Sequence, residues 1–270
     1  MPLPDANLTH PCFRQPPDPS VPVWRYIDLS KLMFMLLRRK LTLSRLDTMP
    51  DKFEGFHGRN FESDVRPRLI AEFAARPPTL PAGRSIDDFV DQLVKDLAGS
   101  AKRWRGVAYI NSWCLGANES EAMWRIYGQS PSSVVLKLSY ARLRDSLDDP
   151  ALYIAPVRYF DFERSIVVNG NAYLPLIHKR HEFEYEHEVR IVKVDHSLLP
   201  AGLPPGVWEN PDPRPTAQFM NWDPAEHVES IVVSPYAARW QSETIREAVA
   251  TISPDLAARI VDSEMGTGPS

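Results

Sequence analysis

Residues 183–192 read Phe-Glu-Tyr-Glu-His-Glu-Val-Arg-Ile-Val, with the alternation typical of a β-strand. A period of two places Glu186, Glu188 and Arg190 on one face of that strand. In a central strand the two carboxylates and the guanidinium would converge on a cleft suited to sugar or phosphate chemistry. In an edge strand the same face would simply be solvated. The sequence leaves both positions open.

Outward from this segment, the patterns predict strands and helices at uneven spacing, without the regular alternation of a doubly wound fold. We therefore expect an α+β fold, a single domain with a central mixed or antiparallel sheet, flanking helices and a helical insertion at about 61–100. Helices are also predicted after the N-cap candidate Asp28, after Ser120 and over 242–252. Strands are predicted at 41–44, 107–115, 133–138, 157–162, 186–194, 230–234 and 259–261, of which 107–115, 133–138 and 186–194 should be central.

The domain is expected to span residues 24–263. Residues 1–23 carry seven prolines, which predict an extended arm that either lies on the domain or is disordered. A proline-rich and glycine-rich stretch over 200–215 predicts a long surface loop, and residues 264–270 are expected to form a disordered tail.

Composition limits the classes of function. With 43% hydrophobic residues the chain can bury a large core, and a formal net charge of -4 argues against a surface built wholly for nucleic acid. The apolar run 32–37 is too short to cross a bilayer, and the N-terminus lacks a signal-peptide pattern. Only Cys12 and Cys114 are present, which fits a reducing compartment. We expect a cytoplasmic protein with no membrane association.

Four patches carry a resemblance to a known family. They are Trp24-Arg25-Tyr26, Leu43-Ser44-Arg45 with the segment 50–55, Asn111-Ser112-Trp113-Cys114 leading into 123–128, and His178-Lys179-Arg180 before the acidic segment. In this order they resemble the bacterial family called domain of unknown function 2971, over roughly residues 24–263. That resemblance implies no particular activity.

The order Arg25, Ser112 and Glu186-His187-Glu188 also resembles the ADP-ribosyltransferase superfamily. This resemblance implies NAD as the substrate in an enzyme of the toxin or phage-defence type, with a macromolecular target that it leaves unnamed. Arg25 would bind the dinucleotide phosphates or the adjacent ribose, and Ser112 would orient Arg25 or the nicotinamide ribose. Glu188, assisted by Glu186, would stabilise the charge that develops as the glycosidic bond breaks.

The remaining candidates complete a nucleotide-binding set. Trp124 or Tyr127 could stack on a nucleotide ring, and the other predicted contacts are Tyr26, Ser44, Lys179 and Arg190. The chain departs from the superfamily pattern because no Ser-Thr-Ser triplet surrounds Ser112, and Ser44 is a second serine on a predicted strand.

Alternative interpretations stay open. A magnesium-dependent nuclease could assemble Asp51, Glu186, Glu188 and Lys179, and a non-catalytic module could bind a nucleotide or a protein partner in the same cleft. Structural roles compete with each functional one: Arg25 could pair with Glu186 or Glu188, the two aromatics could fill the core, and Asp51 and Glu54 could be turn residues. The histidines lack the spacing of a helical zinc motif, so no metal site is expected from them.

Overall fold

The protein has an α+β fold, in which a large mixed sheet is flanked by helices. The structure, a computed structural model, describes residues 3–80, 83–167, 171–199 and 212–266. The expected fold class is confirmed. No helix in these described ranges is long and apolar enough to cross a membrane.

The regular elements of the described residues are as follows. The strands are β1 Pro22–Ile27, β2 Lys40–Arg45, β3 Ala108–Leu115, β4 Val134–Ser139, β5 Leu152–Pro156, β6 Arg158–Phe160, β7 His178–Arg180, β8 Glu188–Val194, β9 Ala217–Asn221, β10 Ser230–Val233 and β11 Ile260–Asp262. The helices are α1 Asp5–Leu8, α2 Leu29–Arg38, α3 Phe61–Ala75, α4 Ile86–Val107, α5 Glu121–Tyr127, α6 Tyr140–Asp145, α7 Pro224–His227, α8 Arg239–Ile252 and α9 Pro254–Ala257.

The described strands form a nine-stranded main sheet in which β8 occupies an interior position. The order β11-β10-β4-β1-β3-β2-β9 runs along the sheet, while β8 pairs with β3 and β5. Every pairing in it is antiparallel except that of β10 with β11. Strand β8 thus has a partner on each side, and its charged residues Glu188 and Arg190 are buried. The central-strand alternative is therefore the correct one.

The sheet is split beside β3. Strand β8 pairs with β3 from Ala108 to Cys114, but the opposite edge of β3 is shared between two strands. Strand β2 pairs with it only at Tyr109 and Ile110, and β1 only at Cys114 and Leu115. The backbone between these pairings, residues 111–113, has no strand partner on that edge. This separation of β1 from β2 opens the cleft described below.

The helices begin where the sequence places capping side chains. Asp28 accepts a hydrogen bond from the Lys31 backbone N–H at the start of α2, and Ser120 accepts one from Met123 at the start of α5. In the insertion, Ser85 caps α4 in the same way, and α3 and α4 bury a small apolar cluster between them. The predicted helical block at 61–100 is confirmed, with α4 continuing to Val107.

The N-terminal segment lies on the domain over residues 3–21. The Asn7 side chain donates hydrogen bonds of 2.8 and 2.7 Å to the carbonyls of Pro150 and Leu152, and Phe13 is fully buried. These contacts cover the outer edge of β5. Of the two predictions for this arm, docking is therefore the observed one.

Several predicted boundaries need correction. The strand expected at 186–194 begins at Glu188, and that expected at 157–162 shrinks to β6, which pairs with β7 in a separate small sheet. Strands β1, β5, β7 and β9 were not predicted; Pro22 opens β1, Pro156 ends β5, and β9 follows the proline-rich stretch that ends at Pro215. The expected disordered tail begins with a 3₁₀ turn over Glu264–Gly266. Residues 267–270, and most of the expected loop at 200–215 (200–211), lie outside the described residues.

Candidate functional site

A cleft of about 360 Å³ lies where β1 and β2 separate beside β3. Its walls include side chains from β1, β2, β3, β7, α5 and the segment that precedes β8. Most of the predicted site residues line it, namely Arg25, Tyr26, Ser44, Ser112, Tyr127, Lys179, Glu186 and Glu188. The sheet thus brings together residues that are as much as 163 positions apart in the chain (188 − 25).

The Glu188 carboxylate accepts hydrogen bonds at both oxygens. Oε1 accepts from the Ser112 hydroxyl at 2.6 Å and from Arg190 Nε at 2.8 Å. Oε2 accepts from Arg190 Nη2 at 2.8 Å and from Lys179 Nζ at 3.2 Å. An ionised carboxylate offers about four acceptor positions, so those of Glu188 are filled.

Glu186 reaches the cleft by a different route from the one predicted. It ends a 3₁₀ segment, His181–Glu186, and His187 follows in a left-handed conformation with φ 41°. The two carboxylates therefore share the cleft through a turn at His187 and not through strand alternation. Glu186 accepts from the Tyr127 hydroxyl at 2.9 Å and from Lys179 at 2.5 Å. About two of its acceptor positions are left for a ligand.

Lys179 lies among three carboxylates. Its ammonium is 2.5 Å from Glu186, 3.2 Å from Glu188 and 3.1 Å from Glu54. All four side chains are at most 8% exposed. The cation keeps the like-charged glutamates together, as expected for neighbouring carboxylates in a buried site.

Glu54 is the residue that sequence reasoning missed. It was interpreted as a turn residue, yet it lies 4% exposed in the cleft wall, close to Lys179 and 3.5 Å from Arg190. Its Oε2 has no hydrogen-bond partner among the described residues. The sequence signal for this role was the glycine that follows Glu54. In the structure Gly55 has φ 78°, and a Cβ there would lie 2.6 Å from Cγ of Arg105. The segment is thus held in a fixed bend that directs Glu54 inward.

Arg190 does not line the cleft, so its predicted role as a ligand contact is corrected. It is fully buried beneath Glu188, which it binds through two parallel hydrogen bonds. Its Nη1 donates to the Leu176 carbonyl at 2.7 Å. This fork geometry orients Glu188 and compensates its charge.

Arg25 lines the cleft without a carboxylate partner. Its Nη1 donates to the Ser112 carbonyl at the split in the sheet, and its guanidinium lies 5.8 Å from the Trp113 ring centre. Its Nε is buried with no partner, and no ion pair to Arg25 forms among the described residues. Burial lowers the pKa of Arg25 to about 10, which leaves the group charged at neutral pH. The structural pairing of Arg25 with Glu186 or Glu188 is not observed.

The aromatic residues divide between wall and core. Tyr127 is 46% exposed and lines the cleft with its hydroxyl on Glu186. Trp124 is fully buried behind this wall, where it packs edge-on against Tyr26 at 5.1 Å. Its burial leaves no face for a ligand ring, so we correct the stacking role proposed for it. Trp124 supports Tyr26, which does line the cleft.

The pKa values of the two cleft glutamates are shifted in opposite directions. Burial raises the pKa of Glu186, against the opposing influence of Lys179 and Tyr127. It acts in the same direction on Glu188, but the charges of Arg190 and Lys179 outweigh it and lower the pKa of that carboxyl. Two neighbouring carboxyls with pKa values moved apart are typical of sites that divide proton transfer and charge stabilisation between two groups.

The arrangement gives less support to a metal centre. Lys179 lies between the carboxylates at the position where a divalent cation would bind, and Asp51 pairs with Arg180 through two contacts of 3.1 Å. Within the part of the chain that the structure describes, no cluster of three or more His, Cys, Asp or Glu side chains has the geometry to hold a metal ion. Asp51 does line the cleft with Glu186, Glu188 and Lys179, but its carboxylate is held by Arg180.

Comparisons of the chain with protein-family models, with curated proteins and with solved structures find no match. The family resemblances thus stay predictions, and the function proposed below is inferred from the geometry of the cleft.

Proposed function

We propose that the cleft binds NAD and cleaves its nicotinamide glycosidic bond, passing ADP-ribose to a macromolecule or to water. The observation that carries this proposal is the convergence of four groups on one cleft. Arg25, Ser112 and the Glu186–Glu188 turn are three separate segments of the chain, and Ser112 is hydrogen-bonded to Glu188. A carboxylate pair beside a guanidinium suits a substrate with an incipient ribosyl cation and two phosphates.

The reaction divides the work between the two carboxylates. The bond between ribose C1′ and the ring nitrogen breaks, and its electron pair neutralises the pyridinium as nicotinamide leaves. The positive charge left on the ribose is stabilised by a nearby carboxylate. An oxygen or nitrogen nucleophile then attacks C1′, and its proton passes to a carboxylate. Glu186 suits proton acceptance better because burial raises its pKa.

The catalytic carboxylate is the point at which geometry and sequence differ. The sequence pattern gives this role to Glu188, whose acceptor positions are occupied by Ser112, Lys179 and Arg190. Glu186 has acceptor positions for a ribose hydroxyl. We therefore assign contact with the reacting ribose to Glu186, and to Glu188 the positioning of Ser112 and Lys179.

Arg25 and the aromatic wall supply the binding contacts. The charged Arg25 side chain lines the cleft without a carboxylate partner among the described residues, which supports a phosphate contact, and Tyr127 offers a half-exposed ring beside Glu186. Both cysteines are free thiols, which suits the reducing cytoplasm in which we place this activity.

The test is nicotinamide release from NAD by purified protein, with and without candidate protein and nucleic-acid acceptors. Glu186→Gln should reduce turnover about a hundredfold or more while NAD still binds, because the substitution keeps shape and removes charge. Arg25→Ala should chiefly weaken binding. The matched control is Glu184→Gln, which changes an exposed glutamate in the same 3₁₀ segment and should leave turnover unaltered.

The comparison of Glu186→Gln with Glu188→Gln tests the division of roles. If the wild-type protein releases nicotinamide no faster than the Glu186→Gln protein with every acceptor, the proposed reaction is refuted. Tight NAD binding without release would instead favour the non-catalytic binding module.

A further inference from the structure

Strands β5 and β8 part at Glu188. Strand β5 pairs with β8 from Leu152 to Pro156, and the Val157 backbone N–H then donates to the Glu188 carbonyl at 2.8 Å. In a regular antiparallel ladder, two residues that face each other in this way exchange both backbone bonds. Here the Glu188 N–H donates instead to the hydroxyl of Tyr159, at 2.8 Å. A side-chain oxygen thus takes the place of a backbone acceptor at the residue where β8 begins.

Tyr159 belongs to the small sheet of β6 and β7. Its register partner there is Lys179, so the two side chains leave the same face of that sheet. Both side chains reach Glu188, because Lys179 Nζ lies 3.2 Å from the carboxylate Oε2 and Tyr159 Oη accepts the backbone N–H. The small sheet therefore holds Glu188 at two points, its charged group and its main chain.

The Tyr159 hydroxyl acts next to the turn that joins the two cleft glutamates. Burial raises the pKa of this hydroxyl, and the charges of Glu188 and Glu186 act in the same direction, so the group is neutral at physiological pH. The residue before Glu188 is His187, whose positive φ brings Glu186 into the cleft. A bond that fixes the main chain of Glu188 therefore fixes one end of that turn.

We propose that Tyr159 is a positioning residue of the cleft, which holds the main chain at Glu188 so that both glutamates keep their places. The inference rests on the proposed function and adds to it a residue from outside the cleft lining. Without the phenolic oxygen, the Glu188 N–H would lose its acceptor at a buried position, and the main chain would shift toward another. The Glu188 carboxylate would then lose its alignment with Ser112 and Arg190.

The test is Tyr159→Phe, which keeps the ring and removes only the oxygen. Hydrogen exchange followed by NMR should become about tenfold or more faster at the Glu188 amide, while the Val192 amide, between β3 and β5, keeps its wild-type rate. Carbon-13 NMR should show the carboxyl pKa of Glu188 moved upward, toward its ordinary value. In nicotinamide release, kcat should fall about tenfold or more with KM within about twofold, as expected when the groups of a site lose alignment.

The matched control is Tyr140→Phe. The Tyr140 hydroxyl is buried and donates to Gln15 at 2.7 Å, away from the cleft wall. This variant loses a comparable bond, so it should lower stability without altering the exchange of the Glu188 amide, the pKa of its carboxyl or kcat.

The inference is overturned if Tyr159→Phe leaves both the exchange and the pKa of Glu188 as in the wild type. It is also overturned if an active protein loses no more kcat through Tyr159→Phe than through Tyr140→Phe. The two NMR measurements require no bond cleavage. They therefore remain decisive for Tyr159 even if the protein releases no nicotinamide and the proposed reaction itself fails.

Discussion

Replacement of Lys179 by methionine isolates the buried cation that joins the cleft carboxylates. The substitution removes the charge and retains a flexible side chain of similar length. It leaves Glu54, Glu186 and Glu188 without the one cation that lies within 3.2 Å of all three carboxylates. The perturbation is therefore electrostatic more than steric.

The expected loss of stability follows from burial. Removing one partner of a buried ion pair costs about 3–5 kcal/mol, since the remaining charge loses its compensation. A loss of about 4 kcal/mol lowers the ratio of folded to unfolded protein roughly a thousandfold. The matched control is Lys193→Met. Lys193 lies on β8 and contacts Asp149 at 2.6 Å, but the two side chains are 27% and 29% exposed. That pair should contribute about 1 kcal/mol or less.

Urea unfolding at pH 7, followed by tryptophan fluorescence, measures both free energies of unfolding. Seven tryptophans supply the signal. The cost of Lys179→Met should decrease as the pH falls through the glutamate range, because burial already raises the pKa of Glu186 and loss of Lys179 raises it further, so that protonation removes an uncompensated charge. If Lys179→Met and Lys193→Met destabilise the protein equally, within about 1 kcal/mol, Lys179 does not stabilise the three buried carboxylates as described.

Two further predictions concern Glu188 and His187. The folded-state pKa of Glu188 is lowered, so its ionisation stabilises the protein above an unfolded-state pKa of about 4.3, and this contribution is lost as the pH falls through the folded-state value. Glu188→Gln should therefore flatten the dependence of the urea midpoint on pH between about 5 and 3; an unchanged slope would contradict the assignment. At His187, glycine should leave stability unchanged or raise it slightly, and valine should cost about 1–2 kcal/mol by the same assay, because a Cβ opposes positive φ and β-branching adds to the clash. Equal stabilities would mean that the left-handed turn is absent.

The sequence predicted the elements whose signals are local. Asp28 caps α2 as expected, the helix predicted to start within 118–121 begins at Glu121, and the helical block at 61–100 follows from its apolar periodicity. The sequence predicted correctly that Glu186 and Glu188 lie on the same side, but it predicted one continuous strand as the reason. In the structure the two carboxylates converge through a left-handed residue, His187, and apolar periodicity does not detect such a turn.

The parts that were missed depend on contacts between distant segments. The sheet position of β8 follows from its pairing with β3 and β5, and neither pairing has a local signal. Burial of Arg190 has the same origin, and the choice between cleft and core that the sequence left open for Trp124 is made only by the assembled sheet. Glu54 joins the site through Lys179, a residue 125 positions later in the chain (179 − 54).

The order of strands in the sheet also constrains how the chain folds. Strand β1 lies between β3 and β4, and β2 pairs with β9, so neighbours in space are separated by many tens of residues in sequence. Each such pairing closes a long loop, and the chain loses conformational entropy before the new contacts compensate for it. This topology therefore favours slow folding. The cleft forms only when β1, β3 and β8 have met. A chain that has been synthesised only as far as β3 carries Arg25 and Ser112 without Glu186 and Glu188, and it gains the complete site late in folding.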